Sequence, residues 1–327
     1  MTKGARIFFR ILAAVGFVIA GVVAFSGWMM WKRPLTVDAY FSRVALTRIG
    51  LEENRMDGPA GRLTWFEGGS GPPMLLLHGA GDQAGSWARA APALLERYRL
   101  IVPDLPGHWG SEPSEGPLPM DVMLAGVDAL LDARDGGQPL VVVGNSLGAW
   151  IGFLLAVERP ADLDRLVAIN GGPIRQDDPA VNLFPQTRDE ARETMRGLMG
   201  PSSPEIPGFV LDDVVRWSRV GPAARFAATA ADLGRWLLDD RLDEVRVPVD
   251  LVWGDADALF PPAYARRLEA GLPAARLTLV PGCGHVPHRE CPAELTDALL
   301  GVLAEAPPTA APAADLAGDA PTTEDGP

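Results

Sequence analysis

Six short runs of apolar residues, spaced through most of the chain, constrain its fold more than any other feature. They read PMLLLHG (73–79), RLIVPD (99–104), PLVVVGN (139–145), RLVAIN (165–170), VPVDLVWGD (247–255) and ARLTLVP (275–281). Each is strand-length and rich in Val and Leu. An apolar residue at nearly every position, rather than every second one, means burial on both faces, as in a parallel sheet covered by helices. Helical patterning fills residues 84–97, 120–133, 147–159, 262–271 and 292–304. Such alternation predicts a doubly wound α/β domain with a mostly parallel sheet. The expected core covers 61–170 and 244–305.

The rhythm breaks between Gly171 and Asp243, a stretch too long for a simple crossover. It carries Phe184, Met195, Met199, Phe209, Trp217, Phe226 and Trp236, and is expected to form an inserted helical cap over 171–243. Residues 34–60 are read as a linker or helical segment. From about Ala306 the chain turns rich in Ala, Pro, Thr and Asp, which cannot bury enough apolar surface to order itself, so 306–327 is expected to be disordered.

Residues 11–31 contain no charge, and a helix of that length spans roughly 30 Å, the thickness of a bilayer's hydrocarbon core. Lys3, Arg6 and Arg10 precede it, Lys32 and Arg33 follow, and Trp28 and Trp31 sit where amphipathic rings favour the headgroup zone. A cleaved signal peptide is the competing reading, because Ala24-Phe25-Ser26 loosely resembles a cleavage site. The apolar run continues beyond that point through Trp31, which favours a single-pass anchor over residues 1–33 in contact with membrane lipid. Positive charge is nearly balanced on the two flanks. A short N-terminal tail left inside puts the rest of the chain outside the cytoplasm.

The formal net charge of −13 would repel a nucleic-acid partner, and no basic stripe offsets it. The two cysteines, Cys283 and Cys291, lack metal-type spacing with histidine. No cofactor or metal is expected, and the oligomeric state is left open.

Chemistry concentrates at Gly144-Asn145-Ser146-Leu147-Gly148, a G-x-S-x-G sequence directly after the run PLVVV and before a helical segment. A sharp strand-to-helix turn exposes the serine hydroxyl and crowds its neighbours, so glycines flank it. A serine hydroxyl needs a base to take its proton. The chain has four histidines, His78, His108, His285 and His288. His285 follows the last apolar run and could reach Ser146. His288, beside Arg289 and Glu290, reads as a surface residue, and His78 as structural. The carboxylate that orients the imidazole comes from Asp255 or Asp257, with the other serving as a local cap. The backbone N–H groups of Leu147 and Ala80 are the expected oxyanion hole.

These residues resemble the α/β-hydrolase superfamily, in the branch with the blocks HG-x-G, D-x-P-G-H-x-x-S, G-N-S-x-G-G/A, W-G-x-x-D and G-H-x-P-x-x-E. Here they stand at His78–Gly81, Asp104–Ser111, Gly144–Ala149, Trp253–Asp257 and Gly284–Glu290. The resemblance covers roughly residues 60–304 and implies Ser146 as nucleophile, His285 as base and Asp257 as acid, with Asp104 and His108 in a structural turn. Trp109-Gly110 departs from the usual glycine-first pattern, which should affect that loop and not the triad. More narrowly, the chain is similar to membrane-anchored and monoacylglycerol-lipase-like hydrolases. The implied reaction is hydrolysis of a small-molecule carboxylic ester, with an apolar acyl chain as the expected substrate. The same triad could serve carbon–carbon bond hydrolysis or perhydrolysis, and a non-catalytic binding protein is the third reading. Two free thiols are the expectation for Cys283 and Cys291, with a disulfide pinning the His285 loop as the alternative if the domain is extracytoplasmic.

Overall fold

The computed structural model describes residues 3–134, 137–176 and 180–309. The tail expected to be disordered lies outside these residues from position 310 onward. Helix α1 (Lys3–Lys32) is 30 residues long, solvent-exposed along its apolar span, and long and apolar enough to cross a membrane. A signal sequence has the same properties. Arg33 separates α1 from α2 (Pro34–Arg48), whose proline stands in the first turn, where its missing N–H costs nothing.

Eight strands form one sheet: β1 (Glu52–Gly58), β2 (Gly61–Gly68), β3 (Pro73–Leu77), β4 (Arg99–Pro103), β5 (Leu140–Asn145), β6 (Leu163–Ile169), β7 (Val249–Gly254) and β8 (Ala275–Val280). The spatial order is β1-β2-β4-β3-β5-β6-β7-β8, antiparallel at β1, β2 and β4 and parallel from β4 to β8. All six apolar runs are strands of the parallel part, as their two-sided burial predicts.

The helices are α3 (Ala91–Leu95), α4 (Met120–Asp132), α5 (Leu147–Glu158), α6 (Arg188–Leu198), α7 (Gly208–Val220), α8 (Pro222–Ala227), α9 (Pro262–Gly271), α10 (Pro287–Glu290) and α11 (Pro292–Ala304). Leu75, Leu77, Val142 and Leu251 pack with α4, α5 and α9 on one face. Their alternates Met74, Leu76, Val143 and Val252 pack with Leu46 of α2, Trp87, Leu94 and α11 on the other. The order of connections reverses around β3 and β5, and sites in such sheets lie at the carboxyl ends of strands beside the reversal.

Two local readings need correction. Residues 34–60 contain α2 and also strand β1. β1 forms an antiparallel edge hairpin with β2, and its residues are exposed or half-buried throughout, so it carries no apolar run to betray it. The expected helix 84–97 is broken into a 3₁₀ turn, Ala84–Arg89, and α3, with Pro92 in the first turn of the second piece. Gly85 lies where a Cβ would come 2.7 Å from the Arg43 backbone N, so α2 sits directly on that turn.

Between β6 and β7 lie α6, α7 and α8. Arg225 ties this segment to the core by donating to the carbonyls of Gly107, Pro113, Glu115 and Gly116. Trp150 of α5 donates to the Trp236 carbonyl at 2.9 Å. Trp31 at the end of α1 stacks on Phe209 of α7, 5.1 Å between centroids.

A buried ion cluster closes the far edge. Asp250 of β7 accepts from Arg165 of β6 at 3.1 Å and from Arg276 of β8 at 2.6 Å, and Arg165 also donates to the Val302 carbonyl. Asp250→Ala leaves the Arg165 guanidinium buried without its carboxylate. The expected cost is about 3–5 kcal/mol, read as a lowered urea midpoint in detergent solution.

Candidate functional site

The turn from β5 into α5 carries Ser146 at φ 55°, ψ −115°, a positive-φ conformation that a non-glycine residue adopts only under constraint. A Cβ on Gly144 would overlap the Gly148 carbonyl, and one on Gly148 would overlap the Leu77 carbonyl of β3. Ser146 N donates to the Ile169 carbonyl at 2.9 Å, and Trp150 N to the Ser146 carbonyl at 3.1 Å. These contacts hold the serine at the carboxyl end of the central strands.

Three side chains from separate loops meet there. His285 Nε2 lies 3.0 Å from Ser146 Oγ, and His285 Nδ1 lies 2.9 Å from Asp257 Oδ2. His285 and Asp257 are buried, at 4% and 2% exposure. With Nδ1–H donating to the carboxylate, Nε2 is left to accept from the serine hydroxyl. Asp257 Oδ1 accepts from the backbone N–H groups of Leu259 and Phe260, at 2.8 and 2.9 Å. Asp255, the other carboxylate considered, accepts from Gly282 N at 2.6 Å and serves as a local cap.

Supporting groups are less visible in sequence. Asn170, at the end of β6 with φ 48°, donates to Asp257 Oδ2 at 2.6 Å and accepts from Gly254 N at 3.1 Å. Asn145 donates to the His285 carbonyl at 3.0 Å. Glu290 accepts from Gly284 N at 2.9 Å and bonds Gly200 N and Ser203 in the segment after α6. The His285 N–H donates to the Leu198 carbonyl at 2.7 Å. Asn145 and Glu290 stand inside recognisable blocks, whereas nothing near Asn170 marks it.

Leu147 is the first residue of α5, where backbone N–H groups have no intrahelical partner. Ala80 lies in the turn after β3. Its neighbour Gly79 approaches so closely that a Cβ there would stand 3.2 Å from Ser146 Cβ. The turn is braced by Gly81 N donating to His108 Nε2 and by Asp82 N donating to the Gly79 carbonyl. Among the described residues, no group of three or more His, Cys, Asp or Glu is placed to hold a metal ion.

Two expectations are overturned. His288 is fully buried, stacked on Trp87 and bonded to Asp82 at 3.0 Å, because its charged neighbours turn inward to partners of their own. Cys283 and Cys291 form a disulfide across the His285 loop rather than two free thiols. Trp109 lies in the block that departs from the usual pattern. It adopts φ 39° and lies 5.7 Å from the Trp217 ring of α7.

His78 and His108 sit beneath the site, fully buried. Each is held by backbone on both ring nitrogens: His78 by Gly79 O and Leu105 N, His108 by Pro106 O and Gly81 N. Burial lowers both from the ordinary imidazole range despite nearby carboxylates, His108 to about 3.

With this geometry in view, known proteins give the lineage. Residues 74–298 match the model of the alpha/beta hydrolase family, and the chain belongs to that family. It is 34% identical over 242 residues to a pimeloyl-[acyl-carrier protein] methyl ester esterase of Aromatoleum aromaticum, covering 68% of this chain and 94% of the esterase. It is 25% identical over 249 residues to a 2-hydroxy-6-oxo-6-phenylhexa-2,4-dienoate hydrolase of Burkholderia cepacia, covering 68% and 85%. Among solved structures, a bacterial membrane phospholipase A superposes with a TM-score of 0.72 at 24% identity, over 90% of this chain and 98% of that one. That likeness carries the fold.

Two outcomes can be measured. Because the unfolded chain protonates its histidines near pH 6.5 while folded His108 stays neutral to about pH 3, stability falls as pH drops below about 6.5. From pH 7 to pH 5 the His108 share of the loss is about 2 kcal/mol, and His108→Gln should flatten that part of the urea-midpoint profile. Reducing the Cys283–Cys291 bridge, which closes a loop of sequence separation 8, should cost about 2–3 kcal/mol in the chain-entropy account, read as a lower melting temperature with dithiothreitol.

Proposed function

We propose that the protein is a serine hydrolase of carboxylic esters with apolar acyl chains, working at a membrane to which α1 anchors it. The observation that carries this reading is the hydrogen-bonded chain Asp257–His285–Ser146, at 2.9 and 3.0 Å. Ser146 Oγ adds to the ester carbonyl carbon as its proton passes to His285 Nε2, and Asp257 stabilises the imidazolium. The oxyanion so formed accepts from the N–H groups of Leu147 and Ala80. Collapse breaks the bond to the alkoxide, which leaves with the proton from His285. Water, deprotonated in turn by His285, releases the acid from the acyl-enzyme.

The apolar acyl preference draws on position. Aromatic residues of α1 and α7 are in contact, Trp31 on Phe209, so the cap stands next to the membrane-length helix. The pimeloyl-[acyl-carrier protein] methyl ester esterase among the similar proteins favours an ester substrate. A disulfide persists where thiols are not kept reduced, which agrees with an extracytoplasmic catalytic domain. A second reading, hydrolysis of a carbon–carbon bond by the same residues, has support in the dienoate hydrolase relative.

The experiment is a chain-length series of p-nitrophenyl and monoacylglycerol esters with wild type and Ser146→Ala. Turnover should rise toward long chains and fall by at least about 10³-fold in the variant. Activity on short esters alone removes the lipid preference. No ester turnover, with cleavage of vinylogous diketones instead, moves the assignment to the carbon–carbon reaction.

A further inference from the structure

The two loops that converge on Ser146 come from distant parts of the sheet. The Ala80 turn follows β3 and the His285 loop follows β8, four inter-strand steps apart in the order β3-β5-β6-β7-β8. At about 4.8 Å per step that is roughly 19 Å of sheet, and ladder hydrogen bonds alone leave the relative height of two loops adjustable. A direct cross-link joins them. Asp82 Oδ2 lies 3.0 Å from His288 Nε2, and Asp82 Oδ1 accepts from Arg289 Nη1 at 2.7 Å. Asp82 stands two residues after Ala80, and its own N–H closes the turn on the Gly79 carbonyl. His288 stands three residues after His285 in the single-turn helix α10.

The link is rigid at both ends. His288 is fully buried with its ring 4.8 Å from that of Trp87, itself fully buried. Arg289 donates its other nitrogen to Asp38 of α2 at 2.5 Å, so the clamp also rests on the helix that follows α1. Burial by itself would raise the Asp82 carboxyl, but Arg289 and His288 beside it hold it well below the usual carboxylate range. The charged form is therefore the one that makes these bonds.

We propose that Asp82 is a positioning residue that, through His288 and Arg289, holds the Ala80 N–H and the His285 imidazole in one alignment about Ser146. This rests on the serine-hydrolase reading above. Asp82 is bonded to His288 and Arg289 and acts through them. Its effect is on the transition state, which needs the oxyanion donor and the base placed together, and a displacement of about 1 Å can cost roughly 100-fold.

The test uses the full-length chain in detergent micelles, as wild type, Asp82→Ala, Asp82→Asn and Arg289→Lys. Three quantities are read: the second-order rate of Ser146 labelling by a fluorophosphonate, kcat and KM on a p-nitrophenyl ester, and inhibition by a trifluoromethyl ketone that mimics the oxyanion. Asp82→Ala should lower labelling and kcat by roughly 10- to 100-fold with KM within about twofold, and weaken the ketone in parallel. Arg289→Lys, which keeps a cation at the clamp, should retain most of the wild-type rate. If Asp82→Ala does not fold, the isosteric Asp82→Asn decides by the same readouts. Wild-type labelling in a folded Asp82 variant, or a raised KM at unchanged kcat, overturns the proposal. If wild type is labelled but cleaves no ester, the ester reading falls while the labelling rates still judge the clamp. If Ser146 in wild type is not labelled at all, both fall.

Discussion

The backbone contact between the first turn of α5 and the end of β3 governs the rest of the site. Gly148 lies against the Leu77 carbonyl and Gly144 against the Gly148 carbonyl, with no room for a Cβ at either position. This approach brings the chain leaving β3 alongside the chain leaving β5. It sets Gly79 against Ser146 and forces the serine into positive φ, at a cost on the order of 1–3 kcal/mol. Hydrogen bonds from Ser146 N to Ile169 and from Trp150 N to the Ser146 carbonyl hold the strained residue between two parallel strands and a helix. A side chain larger than hydrogen at either glycine would separate α5 from β3 and move the serine away from the loops that approach it.

How much of this could be read in the sequence depended on the kind of burial involved. The five strands from β3 to β7 are covered on both faces or nearly so, while the edge strand β8 is half-buried for most of its length. Continuous apolar runs leave few other folds for them. β1 escaped notice because an antiparallel edge strand needs only half-burial: Glu52–Gly58 is mostly polar and is defined by its pairing with β2. The 84–97 stretch has helical composition, but α2 lies on Gly85 and Pro92 begins a new turn, so tertiary contact replaced one helix by two short pieces.

The site divides along similar lines. Ser146 and His285 stand in motifs whose residue types have a direct chemical reason. Residue chemistry alone allows Asp255 or Asp257, and the W-G-x-x-D block points to Asp257, which lies 2.9 Å from His285. Asn170 reaches the loop after the neighbouring strand β7, and Asp82 and His288 meet from the loops after β3 and β8; no local pattern marks a residue whose partner is distant in sequence. His288 reads as a surface residue because charged neighbours usually signal solvent. Here Arg289 points to Asp82 and Asp38, and Glu290 to backbone N–H groups, which leaves the imidazole between them free to be buried. The cysteines could be placed beside His285 by number alone, but bonding between them depends on the fold of the loop.

The same bonds bear on how a substrate reaches Ser146. The segment over the site is tied down at several points: Leu198 to the His285 N–H, Gly200 and Ser203 to Glu290, Arg225 to the 107–116 loop, and Trp236 to Trp150. Lifting it as one body would break all of these, at about 0.5–1.5 kcal/mol each. It would also withdraw the Leu198 carbonyl from the residue whose imidazole faces Ser146. Between α6 and α7 the surface pair Arg188–Asp212 contributes little, but Ser218 and Arg219 of α7 also donate to the Pro185 and Gln186 carbonyls just before α6. That side also carries Phe209, in contact with Trp31 at the end of α1. Helix α7 is also fixed to α2, whose Leu35 N–H donates to the buried Asp213 carboxylate at 3.1 Å, so the segment is braced on the side of the membrane-length helix as well as on the side of His285.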